Sequence, residues 1–271
     1  MEYLSINPAS IEELAVWQNE IRNEKEEYFE IKTKFIRPFC VVFFDQLFQK
    51  INKEKKVRLM PWHKDVHHYL NTIGFEFLYG SHPEEVHNDE SKMIKLRRFK
   101  NVKDDNEVVE WIESEILPRI PQIDSKLNKG IVANFYEIIN NSMLHSTCEY
   151  GLSVCGQFYP AKKYFELAFY DAGIGLANKV KNYGAIKKGE PDSRCIKWAL
   201  QEGTSTRSEP NSGIGLFLLQ NFIKINGGNF HFISGDGFFK YENYIENTLK
   251  NKLHGTLINL RIYYNDNNCK N

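Results

Sequence analysis

Three short segments constrain this chain more than the rest of it: Glu137-Ile-Ile-Asn-Asn141-Ser-Met-Leu-His145, Asp171-Ala-Gly173-Ile-Gly175 and Gly213-Ile214-Gly215-Leu216. The first lies in a stretch whose apolar residues Leu127, Ile131, Phe135, Ile138, Ile139 and Leu144 recur at spacings of three, four and five. That pattern predicts an amphipathic helix packed on a sheet. Glu137, Asn141 and His145 are each four apart. A helix stacks such residues along one edge at about 6 Å per step, so a carboxylate, an amide and an imidazole can face one ligand. A merely solvated polar edge has the same spacing.

The second segment follows Tyr164-Phe-Glu-Leu-Ala-Phe-Tyr170, an aromatic-rich run that reads as a strand delivering Asp171 into a turn with two glycines. Glycines let backbone approach a ligand closely, and a carboxylate accepts hydrogen bonds, as the amino group of a planar base requires. Taken alone, Asp-x-Gly-x-Gly is also an ordinary turn. The third segment is a glycine-punctuated turn running into the apolar stretch Leu216-Phe-Leu-Leu-Gln220. Helix starts of this kind offer free N–H groups and the positive end of the macrodipole to phosphate. A glycine-rich helix cap without ligand is the plain alternative.

In this order, and with a closing strand Gly255-Thr256-Leu-Ile-Asn-Leu260-Arg-Ile after them, the segments resemble the GHKL ATPase superfamily of gyrase-type topoisomerases, heat-shock chaperones, histidine kinases and MutL. The resemblance covers roughly residues 125–264. It implies ATP and Mg²⁺ as cofactors, with Asn141 holding Mg²⁺ against the phosphates and Asp171 binding the adenine amino group. It further implies that Gly173, Gly175, Gly213, Ile214, Gly215 and Leu216 shape the nucleotide pocket. Thr256 would support Asp171 through water, and His145 would touch phosphate or ribose. Glu137 stands where topoisomerase-like and anti-sigma-like members carry a general base; orienting Asn141 is its other reading. An ATP lid is implied at about 176–212, interrupted by a short helix near Ser193–Gln201, with Thr204, Ser205 or Arg207 reaching the terminal phosphate.

The expected architecture is α+β: a largely antiparallel sheet with helices on one face over 106–271, preceded by a small α/β domain over 1–105. In the latter, Phe29–Thr33 and Lys56–Met60 read as strands, and Pro38–Lys50 and Trp62–Ile73 as helices, the first of these with Phe39, Val42, Phe43 and Leu47 inward. This part faintly resembles the STAS-type domains that partner anti-sigma kinases. Breakers at Gly80-Ser-His-Pro and Pro118-Arg-Ile-Pro121 flank a helix expected over Asn106–Leu117, which has no phosphoaccepting His. His63, His67 and His68 have the spacing of a helical zinc pair, with no third ligand nearby except His82 or His87.

With 35 acidic and 35 basic residues the formal net charge is zero, so no global field draws the chain to nucleic acid or membrane. The basic run Lys92–Lys100 reads as a solvated strand or linker. Five cysteines without Cys-x-x-Cys spacing fit a reducing compartment, and the start lacks a signal-peptide pattern; a cytoplasmic location is expected. Two functions compete. One is an ATPase or anti-sigma-type Ser/Thr kinase acting with a protein partner or as a homodimer; the other is a nucleotide-gated binding module with negligible turnover.

Overall fold

A computed structural model describes residues 6–23, 28–52, 58–61, 63–75, 92–100, 105–119, 125–145, 149–206, 215–241 and 245–263. The chain begins with α1 (Pro8–Asn23), β1 (Tyr28–Ile31), α2 (Pro38–Ile51), β2 (Arg58–Pro61) and α3 (Lys64–Thr72). Strands β1 and β2 pair in parallel across α2. β3 (Met93–Phe99) and α4 (Asp105–Trp111) come next, α4 continuing as a wider π turn over Ile112–Ile116. Then come α5 (Ser125–His145), β4 (Leu152–Tyr159), β5 (Tyr164–Asp171), α6 (Leu176–Tyr183), α7 (Asp192–Ala199), α8 (Gly215–Ile225), β6 (Asn229–Lys240) and β7 (Ile245–Tyr263). The five strands β3 to β7 form one antiparallel sheet in the order β3-β4-β5-β7-β6. Among the described residues no helix is long and apolar enough to cross a membrane.

The central strand β5 explains the layering. All eight of its residues are buried, because alternate side chains enter two different cores. Phe165, Leu167 and Phe169 join a cluster with Ile131, Phe135, Ile138 and Ile139 of α5 and Leu219 and Ile223 of α8. Ala168 and Tyr170 face the other way, into a cluster with Phe39, Phe43, Phe44 and Phe48 of α2 and Ile11 and Leu14 of α1. Helices therefore cover both faces of the sheet, not the one face expected from the sequence. The segment up to residue 105 is continuous with the rest of the fold: its strand β3 pairs with β4, and α2 shares its core with β4, β5, β6 and β7. Being covered on both sides, α2 is buried nearly all round, where the spacing of Phe39, Val42, Phe43 and Leu47 predicts a single inward face.

The N-terminal layer is also bonded to the sheet. Gln46 of α2 donates to Ser153 Oγ at 2.8 Å and to the Gly151 carbonyl at 3.1 Å, and Ser153 donates to Asp45. Arg98 of β3 completes the group through a paired contact with Asp45.

Candidate nucleotide site

On the sheet face covered by α5 and α8, the inner side of α5 is fixed by aromatic packing: the Phe135 ring meets Phe169 edge-on at 6.0 Å and Phe165 at 6.5 Å. That contact turns the Glu137 edge of the helix towards α8. Asn141 Nδ2 donates to Glu137 Oε1 at 2.8 Å. A carboxylate only accepts, so the amide must present nitrogen to it, and the Asn141 carbonyl oxygen is left pointing elsewhere. Gly215, the first residue of α8, is packed directly against Glu137. Any Cβ there would collide with Glu137 Cγ and Oε1. Two of the three sequence segments thus meet: the Glu–Asn edge of α5 lies at the N-terminus of α8, where backbone N–H groups lack helical partners.

The second segment begins at the end of β5. Asp171 is 4% exposed, and Gly173 N–H donates to its Oδ1 at 3.1 Å; its other oxygen has no hydrogen-bond partner among the described residues. Burial pushes the Asp171 carboxyl up to about 7 from 3.8, against the opposing effects of the Gly173 bond and the Lys179 charge. Gly255 on β7, with φ at +90°, lets β7 cross tightly over this point, since a Cβ there would strike the Asp171 carbonyl.

Thr256 stands opposite Asp171 in the β5–β7 register. Its hydroxyl accepts the Leu176 N–H at 2.9 Å, and Ser234 Oγ accepts the Ala177 N–H at 3.1 Å. Hydroxyls on β7 and β6 therefore cap α6, whose own preceding residue, Gly175, has no side chain to do so. Ser234 also donates to the Gly255 carbonyl at 3.1 Å, tying together the two strands beside Asp171. No sequence motif singles Ser234 out; nothing local marks a cap supplied from a strand more than fifty residues away.

The first part of the implied lid is an ordered ledge. Ala177 and Val180 of α6 and Cys195 of α7 form a small core. Asp192, at the start of α7, pairs with Lys181 Nζ and accepts the Asp236 N–H at 2.9 Å. Thr204 Oγ1 lies 2.6 Å from the Trp198 carbonyl and 2.8 Å from the Gln201 carbonyl, either of which its hydroxyl can donate to at the end of α7. Leu216 packs into the core beneath α5. Arg207, Gly213 and Ile214 lie outside the described residues, as does the side chain of His145, whose backbone is in α5. A groove of about 500 Å³ lies on the other flank of α5, between Asn106, Val109 and Leu117 on one side and Val132 and Tyr136 on the other. None of the site residues expected from the sequence lines it.

His63 caps α3 by accepting the Asp65 N–H at 3.3 Å. Among the described residues no three His, Cys, Asp or Glu side chains converge as a metal cluster. A magnesium ion carried on phosphates needs only one or two protein oxygens, so the Asn141 carbonyl suffices chemically. No protein-family model matches this chain, and no curated protein matches it.

Proposed function

We propose that the chain is an Mg-ATP-binding protein of GHKL type that hydrolyses ATP or transfers its terminal phosphate to a protein partner. The observation that carries this reading is the packing of Glu137, which accepts a hydrogen bond from Asn141, against Gly215: a carboxylate with an amide bonded to it stands at the start of α8, whose first N–H groups would receive phosphate. Asp171 adds a buried acceptor with one oxygen open to a donor, which suits an adenine amino group.

When bound, Mg²⁺ would neutralise and align the phosphate oxygens. Asn141 would supply its carbonyl oxygen to the ion, held in that orientation by Glu137. Glu137 would keep Oε2 for the proton of a water molecule or a substrate hydroxyl. Asp171 would fix the base, and the N-terminus of α8 would offer its N–H groups to the phosphates.

The Glu137–Asn141 bond also favours the second reading, a nucleotide-gated binding module in which Glu137 only orients the amide. Glu137→Gln separates them. With Glu137 as base, the variant keeps its ATP affinity while turnover falls about 10²- to 10⁴-fold. Bound nucleotide and released phosphate, measured side by side for wild type and variant with and without Mg²⁺, decide it. A fully active Gln variant refutes the base, and an inert wild type leaves the binding module.

A further inference from the structure

The helical layer on the α5 side of the sheet has a groove on one flank and an uncovered ridge on the other. The groove, of about 500 Å³, runs between α5 and the pair formed by α4 and its π turn. Val109, Glu113 and Leu117 are spaced by four on one wall, and Asn128, Val132 and Tyr136 by four on the other, so each wall presents one line of side chains. Ala133 and Lys129 complete the α5 wall. Ile112 and Ile116 of the π turn are buried in the core, which leaves Glu113 and Leu117 beside them to face outward.

The ridge belongs to α8, whose only polar side chains are Gln220, Asn221 and Lys224. A helix that is apolar on nearly every side is expected inside a protein. Leu219 and Ile223 of α8 are buried, and Leu216 and Phe222 pack on the same core. Yet Leu218 is 52% exposed and Ile225 82%, more than any other large apolar side chain among the described residues. The two stand seven residues apart, two turns or about 10 Å along one face, the spacing with which a helix anchors itself in a groove.

Helix α5 lies between the two features. A Cβ on its Gly130 would stand 2.8 Å from the Phe222 ring of α8, and its Glu137 packs on Gly215, so the stretch of α5 that lines the groove on one flank borders α8 on the other. Charge is divided the same way. The segment Asp105–Ile116 holds acids and no base, with Glu110 and Glu113 exposed, whereas α8 holds the exposed Lys224 and no acid. A two-fold axis running along α5 lays a second copy face down with the flanks exchanged. Each ridge then lies over the other copy's groove, and each Lys224 meets the other's acidic wall, as a closed, self-complementary interface requires.

We propose that the chain forms a two-fold dimer in which α8 of each copy, through Leu218 and Ile225, fills the groove between α4 and α5 of the other, with Lys224 paired to Glu113 across the interface. The dimer does not depend on the nucleotide reading. It gives the exposed apolar side chains of α8 the cover that a patch of this kind otherwise lacks.

The test is the mass of the full chain in solution without nucleotide, followed by sedimentation velocity over a concentration series. Wild type is expected to pass from monomer to dimer as concentration rises. Ile225→Asp should weaken the dimer about tenfold or more. At 82% exposure this residue contributes little packing within one chain, so the circular dichroism spectrum should stay native. Glu113→Lys and Lys224→Glu should each weaken the dimer about tenfold, because each sets like charges against one another at both symmetric contacts. An equimolar mixture of these two variants should dimerise as wild type does, since every Lys then meets a Glu. A wild type that stays monomeric throughout the series would overturn the proposal and leave groove and ridge to other partners. A dimer that all three substitutions leave unchanged would overturn this surface as its interface. A mixture that fails to recover the dimer would overturn the pairing of α8 with α4.

Discussion

Asp171 gives the sharpest physical test, because its burial makes a signed statement about stability. Its carboxyl is raised from 3.8 to about 7 by desolvation. Between these two values the folded chain keeps a proton that the unfolded chain has released, so stability falls as pH rises across that window. The contribution is fully present below the unfolded pKa and gone above the folded one. A difference of about three units at 1.36 kcal/mol each is about 4 kcal/mol, and no discount for solvent applies to a side chain this buried. Asp171→Asn removes the titration yet keeps an oxygen for the Gly173 N–H. The variant should therefore gain on wild type by about 1.4 kcal/mol per pH unit from about pH 4 to pH 7, levelling at about 4 kcal/mol. Urea unfolding of both proteins at half-unit pH steps reads this difference directly, and the titration of every other group cancels in it. Parallel stability profiles would refute the reasoning, since they would mean that Asp171 is hydrated or paired. The same variant should bind adenine nucleotide more weakly by about 1 to 3 kcal/mol, because the acceptor for the amino group is lost.

Gly215→Ala should leave α8 helical, since alanine is the better helix former, but its Cβ must displace Glu137 and break the bond to Asn141; phosphate-release assays should show turnover down by about 10²-fold. Asp192→Asn should destabilise the ledge of α6 and α7 by about 3 kcal/mol by leaving Lys181, 12% exposed, without its buried partner. Burial opposes Asp192 ionisation, but the hydrogen bonds from Lys181 and the Asp236 N–H and the nearby lysine charges outweigh it and hold its pKa below the ordinary value. That stabilisation is present above the unfolded pKa and lost as pH falls through the folded one, so amide exchange protection in 176–200 should drop on acidification in wild type and be uniformly low in the variant.

Where a segment has one buried face, the sequence announces it. The i, i+4 edge Glu137–Asn141 and the apolar spacing of α5 are legible, as are β1, β2 and α3 from their strand and helix patterns; α2 is legible as a helix, but its burial nearly all round is not. Strand β4 is not, because Leu152–Gly156 is buried without a break and so shows no period of two. Strand β6 is hidden by Gly235-Asp236-Gly237, which reads as a turn but is a double register shift inside a continuing hairpin. Helix α6 is lost in the composition of a loop, since Thr256 and Ser234, which cap it, belong to other strands. The same limit applies to the site. Spacing places Glu137 and Asn141 on one edge, but only the fold brings Gly215 against Glu137.

The double-faced β5 also decides what the N-terminal half is for structurally. Tyr170 points into the α2 layer, its ring 5.9 Å from that of Phe43, and its hydroxyl donates to the His254 carbonyl. The next residue along β5 is Asp171, and the next along β7 is Gly255, the glycine that crosses over the Asp171 carbonyl. The strand crossing that shapes the candidate adenine end of the site is thus fixed from behind by a tyrosine seated on α2. Without residues 6–75, the side chains of Cys155, Ala168, Tyr170, Ile233 and Leu257 would lose the layer that covers them. An apolar patch of that kind is not left bare in water. The sheet that carries the candidate site needs the N-terminal layer as its second face, however much the sequence of that layer reads as a separate unit.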